Sequence, residues 1–151
     1  MAEYPCFPLF VDLSEKRLLV IGAGRIALRR IETLLRFAPS VTVVAPEALP
    51  EVAALPGVIL RKKPYSPEDL DGADLVFAAT SDPAVNDAVG LRCRALGIPV
   101  NVASDKGKSD FYVPGVAVRE NLVIGVTASG KDHAAAKRLT EAARTLLERE
   151  K

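Results

Sequence analysis

Hydrophobic positions along this chain fall into short continuous runs separated by stretches of helical spacing. Leu18 to Ile21, Val41 to Ala45, Leu75 to Ala79 and Pro99 to Ala103 are such runs, and Val58 to Lys62 reads as a further strand. Between the first two, apolar residues recur every three or four positions. From about Arg25 to Phe37 the spacing predicts a helix with Ile26, Ala27, Ile31, Leu34, Leu35 and Ala38 on a broad inner face. Ser66-Pro67-Glu68-Asp69 has the form of a helix start, with Ser66 as N-cap and Pro67 at the first helical position. Asp82-Pro83 opens another helix, reaching about Leu96 and closed by Gly97. Strands that alternate with helices over short connections call for a parallel sheet covered on both faces, with right-handed crossovers. The predicted class is α/β, a Rossmann-like doubly wound sheet of order 3-2-1-4-5, whose ligand crevice lies over the carboxyl ends of strands one and four.

The pattern changes after the fifth strand. Residues 104 to 121 read as loop, and Leu122 to Thr127 as a sixth strand. A final helix runs to about Glu148, with Ala135, Leu139, Ala142, Ala143, Leu146 and Leu147 forming one stripe and Arg144 to Glu148 a possible i,i+4 pair. That stripe can dock on the chain's own sheet or on a partner subunit. The expected division is a nucleotide-binding domain over 1–113 and a strand–loop–helix extension over 114–151, on the dimerisation and substrate side.

The first strand ends in Gly22-Ala23-Gly24-Arg25-Ile26-Ala27, a GxGxxA form of the dinucleotide fingerprint. Glycines here let the backbone approach a diphosphate while the N–H groups of the helix start point at it. A plain strand-to-helix turn is the alternative. A side chain at Gly22 is expected to fill the space the diphosphate needs. Glu47 lies twenty residues past Ala27, near where an acidic residue receives the ribose hydroxyls. It favours NAD over NADP, although Arg25 can neutralise either the diphosphate or a 2′-phosphate, and a solvated loop carboxylate is the competing reading.

Composition narrows the class without pointing to a partner. With 151 residues, 49% hydrophobic and 26% charged, the chain has core enough for one domain plus an appendage. A net charge of +1 gives no global case for nucleic acid or a membrane surface. Cys6 and Cys93 have no metal spacing and suit reduced, buried positions in a cytoplasm. Glu3, Pro5 and Pro8 stand where a signal peptide would need positive charge and then apolar residues, and no apolar stretch approaches the roughly 20 residues of a membrane span.

Polar candidates gather at the predicted strand ends. Thr80 and Ser81 follow strand four and can bind a cofactor, or Ser81 or Asp82 can cap the next helix. Asn101 ends strand five, followed by Ser104 and Asp105. Asp105 and Asp110 are the candidate acid/base carboxylates, although loop aspartates also form turns. His133, alone and without a Cys or carboxylate cluster, makes no metal site. A modest excess of Lys and Arg from residue 104 to 138 suits a carboxylate-rich substrate or a plain solvated surface.

Phe7-Pro8-Leu9-Phe10-Val11-Asp12-Leu13, Val20-Ile21-Gly22-Ala23-Gly24-Arg25-Ile26-Ala27-Leu28-Arg29-Arg30, Val41-Thr42-Val43-Val44-Ala45-Pro46-Glu47, Ala78-Ala79-Thr80-Ser81-Asp82, Asn86, Asn101-Val102, Asp110-Phe111 and Pro114 together resemble the precorrin-2 dehydrogenase family, the dehydrogenase module of siroheme synthase. The resemblance implies NAD-dependent oxidation of precorrin-2 to sirohydrochlorin and, in some members, insertion of ferrous iron as a second substrate. It implies cofactor contacts at Gly22, Gly24, Arg25, Ile26, Pro46, Glu47 and Thr80, and a homodimer joined through helical C-terminal regions. The family's acid/base aspartate falls on Ser104 here, with a carboxylate one residue later at Asp105. Either Asp105 substitutes, or catalysis rests on cofactor positioning, or this copy is impaired. A non-catalytic NAD-binding regulatory domain and a chelatase without redox work are the other readings.

Overall fold

The computed structural model describes residues 4–150. Residues 11–111 form one unit; residues 4–10 and 112–150 form another. The division expected after residue 113 groups the first ten residues with the nucleotide-binding part, whereas the contacts of residues 4–10 are with the C-terminal unit.

In the first unit the elements are β1 (Leu18–Ile21), α1 (Arg25–Leu34), β2 (Val41–Ala45), α2 (Pro50–Ala54), β3 (Val58–Lys62), β4 (Leu75–Ala78), α3 (Pro83–Leu96) and β5 (Val100–Val102). The strands pair in parallel in the order β3-β2-β1-β4-β5, as the alternation predicts. Every residue of β1 is buried because helices cover both faces of a parallel sheet. Val20 lies between Val43 and Phe77, and Ile21 between Val44 and Ala78. The edge strand β3 is different: Ile59, Arg61 and Lys62 are exposed.

Helix α1 buries Ala27, Ile31 and Leu34, spaced i, i+4, i+7. Ile26, expected on the inner face, is instead 47% exposed in the first turn. The helix also ends three residues early. Arg36 and Phe37 donate to Thr33 O and Leu34 O, i to i−3 bonds that tighten the chain ahead of Pro39. The expected helix at Ser66 is a four-residue 3-10 turn, Pro67–Leu70, in which Asp69 Oδ2 accepts from Ser66 N at 2.9 Å and from Lys63 Nζ at 2.5 Å. Helix α2 has no counterpart among the expected elements. Helix α3 matches its expected limits: Asp82 Oδ1 caps Ala84 N at 2.9 Å, and Gly97 closes it with φ of 70°.

The second unit is an antiparallel hairpin, β6 (Gly115–Arg119) and β7 (Leu122–Val126), followed by α4 (His133–Arg149). Strand β6 lies in the stretch that reads as loop. Helix α4 packs on both strands, chiefly β6, through a narrow line of residues at 136, 140, 143 and 147, with Thr140 and Leu147 buried. Close approach is possible because position 115 is glycine: a Cβ there would lie 2.1 Å from Thr140 Oγ1. Two strands cover only this line, so Leu139 and Leu146 of the expected stripe stand 59% and 55% exposed. Arg144 pairs with Glu141 at 2.7 Å rather than with Glu148.

Candidate functional site

Three connections meet at the carboxyl edge of the sheet in the first unit. Gly22 N donates to Val44 O at 2.9 Å and Ala79 N to Ile21 O at 2.8 Å, so the turn after β1 is tied to both neighbouring strands. Leu49 N donates to Ala23 O at 3.0 Å, which brings the loop carrying Pro46 and Glu47 against the same turn. Both of those residues are exposed there.

Within the turn each small residue meets a different constraint. Gly22 has φ of 109° and faces Ala79 backbone directly, so it is needed for the turn itself. Gly24 is the position with open space: apart from its own chain neighbours, no atom lies within 4 Å of where its Cβ would be. It is also the N-cap of α1, with no side-chain cap and no acidic residue in the first turn. The helix start therefore carries no side-chain anion of its own, a condition that suits a diphosphate. Ala27, wholly buried, allows the helix to lie close on the sheet. A side chain would thus find open space at Gly24 but would meet the Ala79 backbone at Gly22. Arg25 and Ile26, both exposed, follow Gly24.

Beyond β4, Thr80 is held by a buried asparagine. Asn86, only 1% exposed, accepts from Thr80 N at 3.0 Å and from Thr80 Oγ1 at 2.8 Å. Its amide nitrogen donates to Thr80 O at 3.1 Å and to Ser104 Oγ at 3.2 Å. In the sequence Asn86 stands out only within the family pattern. A usable signal is nonetheless present, because Asn86, Val89 and Cys93 share the buried face of α3 and a polar group there needs partners.

The loop after β5 is closed on itself. Ser109 Oγ accepts from Val102 N at 2.8 Å, Asp110 Oδ2 accepts from Val100 N at 2.9 Å, and the Phe111 ring meets Phe77 edge-on at 5.4 Å. Asp110 is thereby part of the backbone closure. Asp105 Oδ1 accepts from Gly107 N at 2.9 Å and caps the short turn Lys106–Lys108, while its other oxygen lies 3.6 Å from Lys108 Nζ. Lys108 also donates to Asp87 at 2.8 Å, and that carboxylate, aided by the charge of Asp105, holds the ammonium above its usual range. The structure thus places Gly22, Gly24, Arg25, Ile26, Pro46, Glu47, Thr80, Ser104 and Asp105 along one sheet edge.

Comparison with known proteins agrees with this geometry. Residues 9–115 match the family model described as "Putative NAD(P)-binding". The chain belongs to that family. It is similar to the siroheme synthase of Chromobacterium violaceum, 41% identical over 127 residues that cover 82% of this chain and 27% of that protein. The siroheme synthase of Methylobacillus flagellatus is 38% identical over 143 residues, covering 93% of this chain and 31% of that protein. A solved structure described as SirC, precorrin-2 dehydrogenase, superposes with a TM-score of 0.75 and 27% identity, covering 95% of this chain and 74% of that one. The resemblance read from the sequence therefore holds for family and fold. The chain spans 26–31% of the length of these and other curated siroheme synthase relatives.

Proposed function

We propose that the chain is an NAD-dependent dehydrogenase that oxidises precorrin-2 to sirohydrochlorin in siroheme biosynthesis. The observation that carries this reading is the open, uncapped helix start at Gly24, set beside Thr80 and Ser104 in a chain related to siroheme synthases. NAD, when bound, supplies the hydride acceptor. Main-chain N–H groups at the start of α1 bind its diphosphate, with Arg25 and Ile26 alongside. Glu47, exposed beyond β2, takes the ribose hydroxyls and disfavours the extra phosphate of NADP.

The reaction removes a hydride and a proton from the substrate, breaking two bonds to hydrogen and forming one double bond. Hydride loss leaves the substrate cationic, so its remaining proton is acidic and an ordinary carboxylate suffices to take it. Asp105 is the carboxylate placed for proton removal: it stands at the same sheet edge, with one oxygen on Gly107 N at 2.9 Å and the other 3.6 Å from Lys108 Nζ. Ser104 stands next to it, facing the same edge.

Further parts of the reading concern setting and assembly. Leu122, Leu139 and Leu146, each more than half exposed, supply an apolar surface on the C-terminal unit that supports a homodimer; light scattering at twice the chain mass tests it. The two free cysteines suit a cytoplasm, and no helix of the described residues is long and apolar enough to cross a membrane. Ferrous iron enters as a second substrate, tested by supplying it with sirohydrochlorin and looking for siroheme.

The deciding assay mixes purified protein with precorrin-2 and NAD. NADH and sirohydrochlorin should form in equal amounts. Tight NAD binding with no NADH formed would instead identify a regulatory dinucleotide-binding domain.

A further inference from the structure

Asn86 fixes the polarity of the hydroxyl at the position where the family pattern carries an acid. A backbone N–H is an obligate donor, so the Asn86 atom 3.0 Å from Thr80 N must be the amide oxygen. The other amide atom is then the NH2 group, which donates both to Thr80 O and to Ser104 Oγ. The bond from Thr80 N fixes the oxygen, the one Thr80 Oγ1 proton being shared between Asn86 Oδ1 and Asp82 O, and both amide hydrogens are used, leaving no freedom to flip. Ser104 therefore receives a hydrogen bond from the buried side and turns its own proton away from Asn86. A hydroxyl held in this way has its proton free to donate to whatever lies above it, and a neutral hydroxyl is too weak a base to take a proton from the substrate.

The structure also shows why this orientation persists. Asn86 is almost wholly buried, in the first turn of a helix whose start is capped by Asp82. Losing its bonds to Thr80 N and Thr80 O would leave buried polar atoms unmatched. The loop bearing Ser104 is held to α3 at a second point by the Lys108–Asp87 pair and at a third by Arg94 Nη1, which donates to Lys108 O at 3.0 Å. The loop that carries the hydroxyl is thus tied to α3 at two residues, Ser104 and Lys108.

We propose that Ser104 binds a carboxylate of the substrate by donating its hydroxyl proton, and that Asn86 is the positioning residue that orients it. Position 104 in this chain then recognises an anionic acceptor and takes no part in proton removal. The identity of the substrate rests on the dehydrogenase reading, but the hydrogen-bond polarity is set by the protein alone.

The test uses the full chain and four variants: Ser104→Ala, Ser104→Thr, Asn86→Asp and the double variant Asn86→Asp with Ser104→Ala. Ser104 is exposed, so its alanine variant keeps the fold. Asn86→Asp keeps an oxygen for Thr80 N but, when ionised at alkaline pH, removes the NH2 donor, so the Ser104 proton is drawn inward. Two quantities are measured: KM for precorrin-2 under saturating NAD, and the dissociation constant of sirohydrochlorin from the NAD-loaded protein. Ser104→Ala should raise both about tenfold, the value of one hydrogen bond to a charged group, with kcat and NAD affinity held within about threefold. Ser104→Thr should restore wild-type values. Asn86→Asp, which also loses the donor to Thr80 O, should raise both at least as far as Ser104→Ala, and adding Ser104→Ala to it should cause no further loss. An unchanged KM and dissociation constant in Ser104→Ala, or losses that multiply in the double variant, would overturn the proposal. Ser104-dependent tetrapyrrole binding without NADH formation would overturn the dehydrogenase reading and leave this one standing; NADH formation indifferent to Ser104 would do the reverse. Absence of tetrapyrrole binding to the wild type would remove both.

Discussion

Gly22 and Ala79 meet backbone to backbone at the end of β1 and β4, so closely that a Cβ on Gly22 would sit 2.4 Å from the Ala79 carbonyl oxygen. The glycine turn is therefore a joint between two strands before it is a ligand site. Its conformation, with φ of 109°, excludes a side chain on torsional grounds as well.

From this contact we expect Gly22→Ala to act on stability. Forced φ strain and a backbone clash together should cost about 2–5 kcal/mol. A thermal scan should show the midpoint falling by roughly 5–15 °C. A midpoint equal to wild type would mean that the two strand ends can separate freely.

Proton removal can be separated from turn capping at Asp105. Asp105→Asn keeps an oxygen for Gly107 N and loses only the charge. If the carboxylate takes the substrate proton, Asn and Ala variants should both lose at least tenfold in turnover, with NAD affinity unchanged. Full activity in Asp105→Asn combined with a defect in Asp105→Ala would restrict this residue to shaping its loop.

Acid should weaken the first unit through Asp69. Burial raises its pKa, but the Lys63 ammonium and the Ser66 hydrogen bonds outweigh that and set it below the ordinary aspartate range. A depressed carboxylate stabilises the fold above its unfolded pKa, near 3.9, and that contribution fades as pH falls through the folded value. Asp69→Asn should accordingly be less stable than wild type at neutral pH, by about 1–3 kcal/mol. The gap should close in acid; a gap independent of pH would contradict the assignment.

Burial, with the charge of Asp110 adding to it, pushes the Cys93 thiol up to about 11. At about pH 8 it should remain a thiol and resist disulfide reagents until the protein unfolds. Cys6, only half-buried, should react first. Rapid native-state labelling of Cys93 would show that α3 opens from the sheet.

Strand order was legible because each strand of a doubly covered sheet is a continuous apolar run, as in Leu18 to Ile21 and Leu75 to Ala78. Strand β6 was hidden by Pro114-Gly115, which reads as a turn; the glycine is there to admit Thr140 of α4. The outward Leu139 and Leu146 look like core residues by periodicity alone, since spacing cannot say how wide a surface the partner element offers. At the site, the glycine turn and Thr80 could be located from strand ends. The hydrogen-bond polarity of Asn86 could not, because it depends on Thr80 and Ser104 meeting one side chain from two different strands.

Dinucleotide binding at the open end of α1 is tested most directly by calorimetric titration of NAD into wild-type protein and into Gly24→Val. The valine side chain would project into space that is empty in the fold, so the variant should stay folded, with only the modest loss of stability of a poorer N-cap, yet bind NAD at least tenfold more weakly. Equal NAD affinity in the two proteins, or no NAD binding by well-folded wild type, would contradict a diphosphate seated at Gly24.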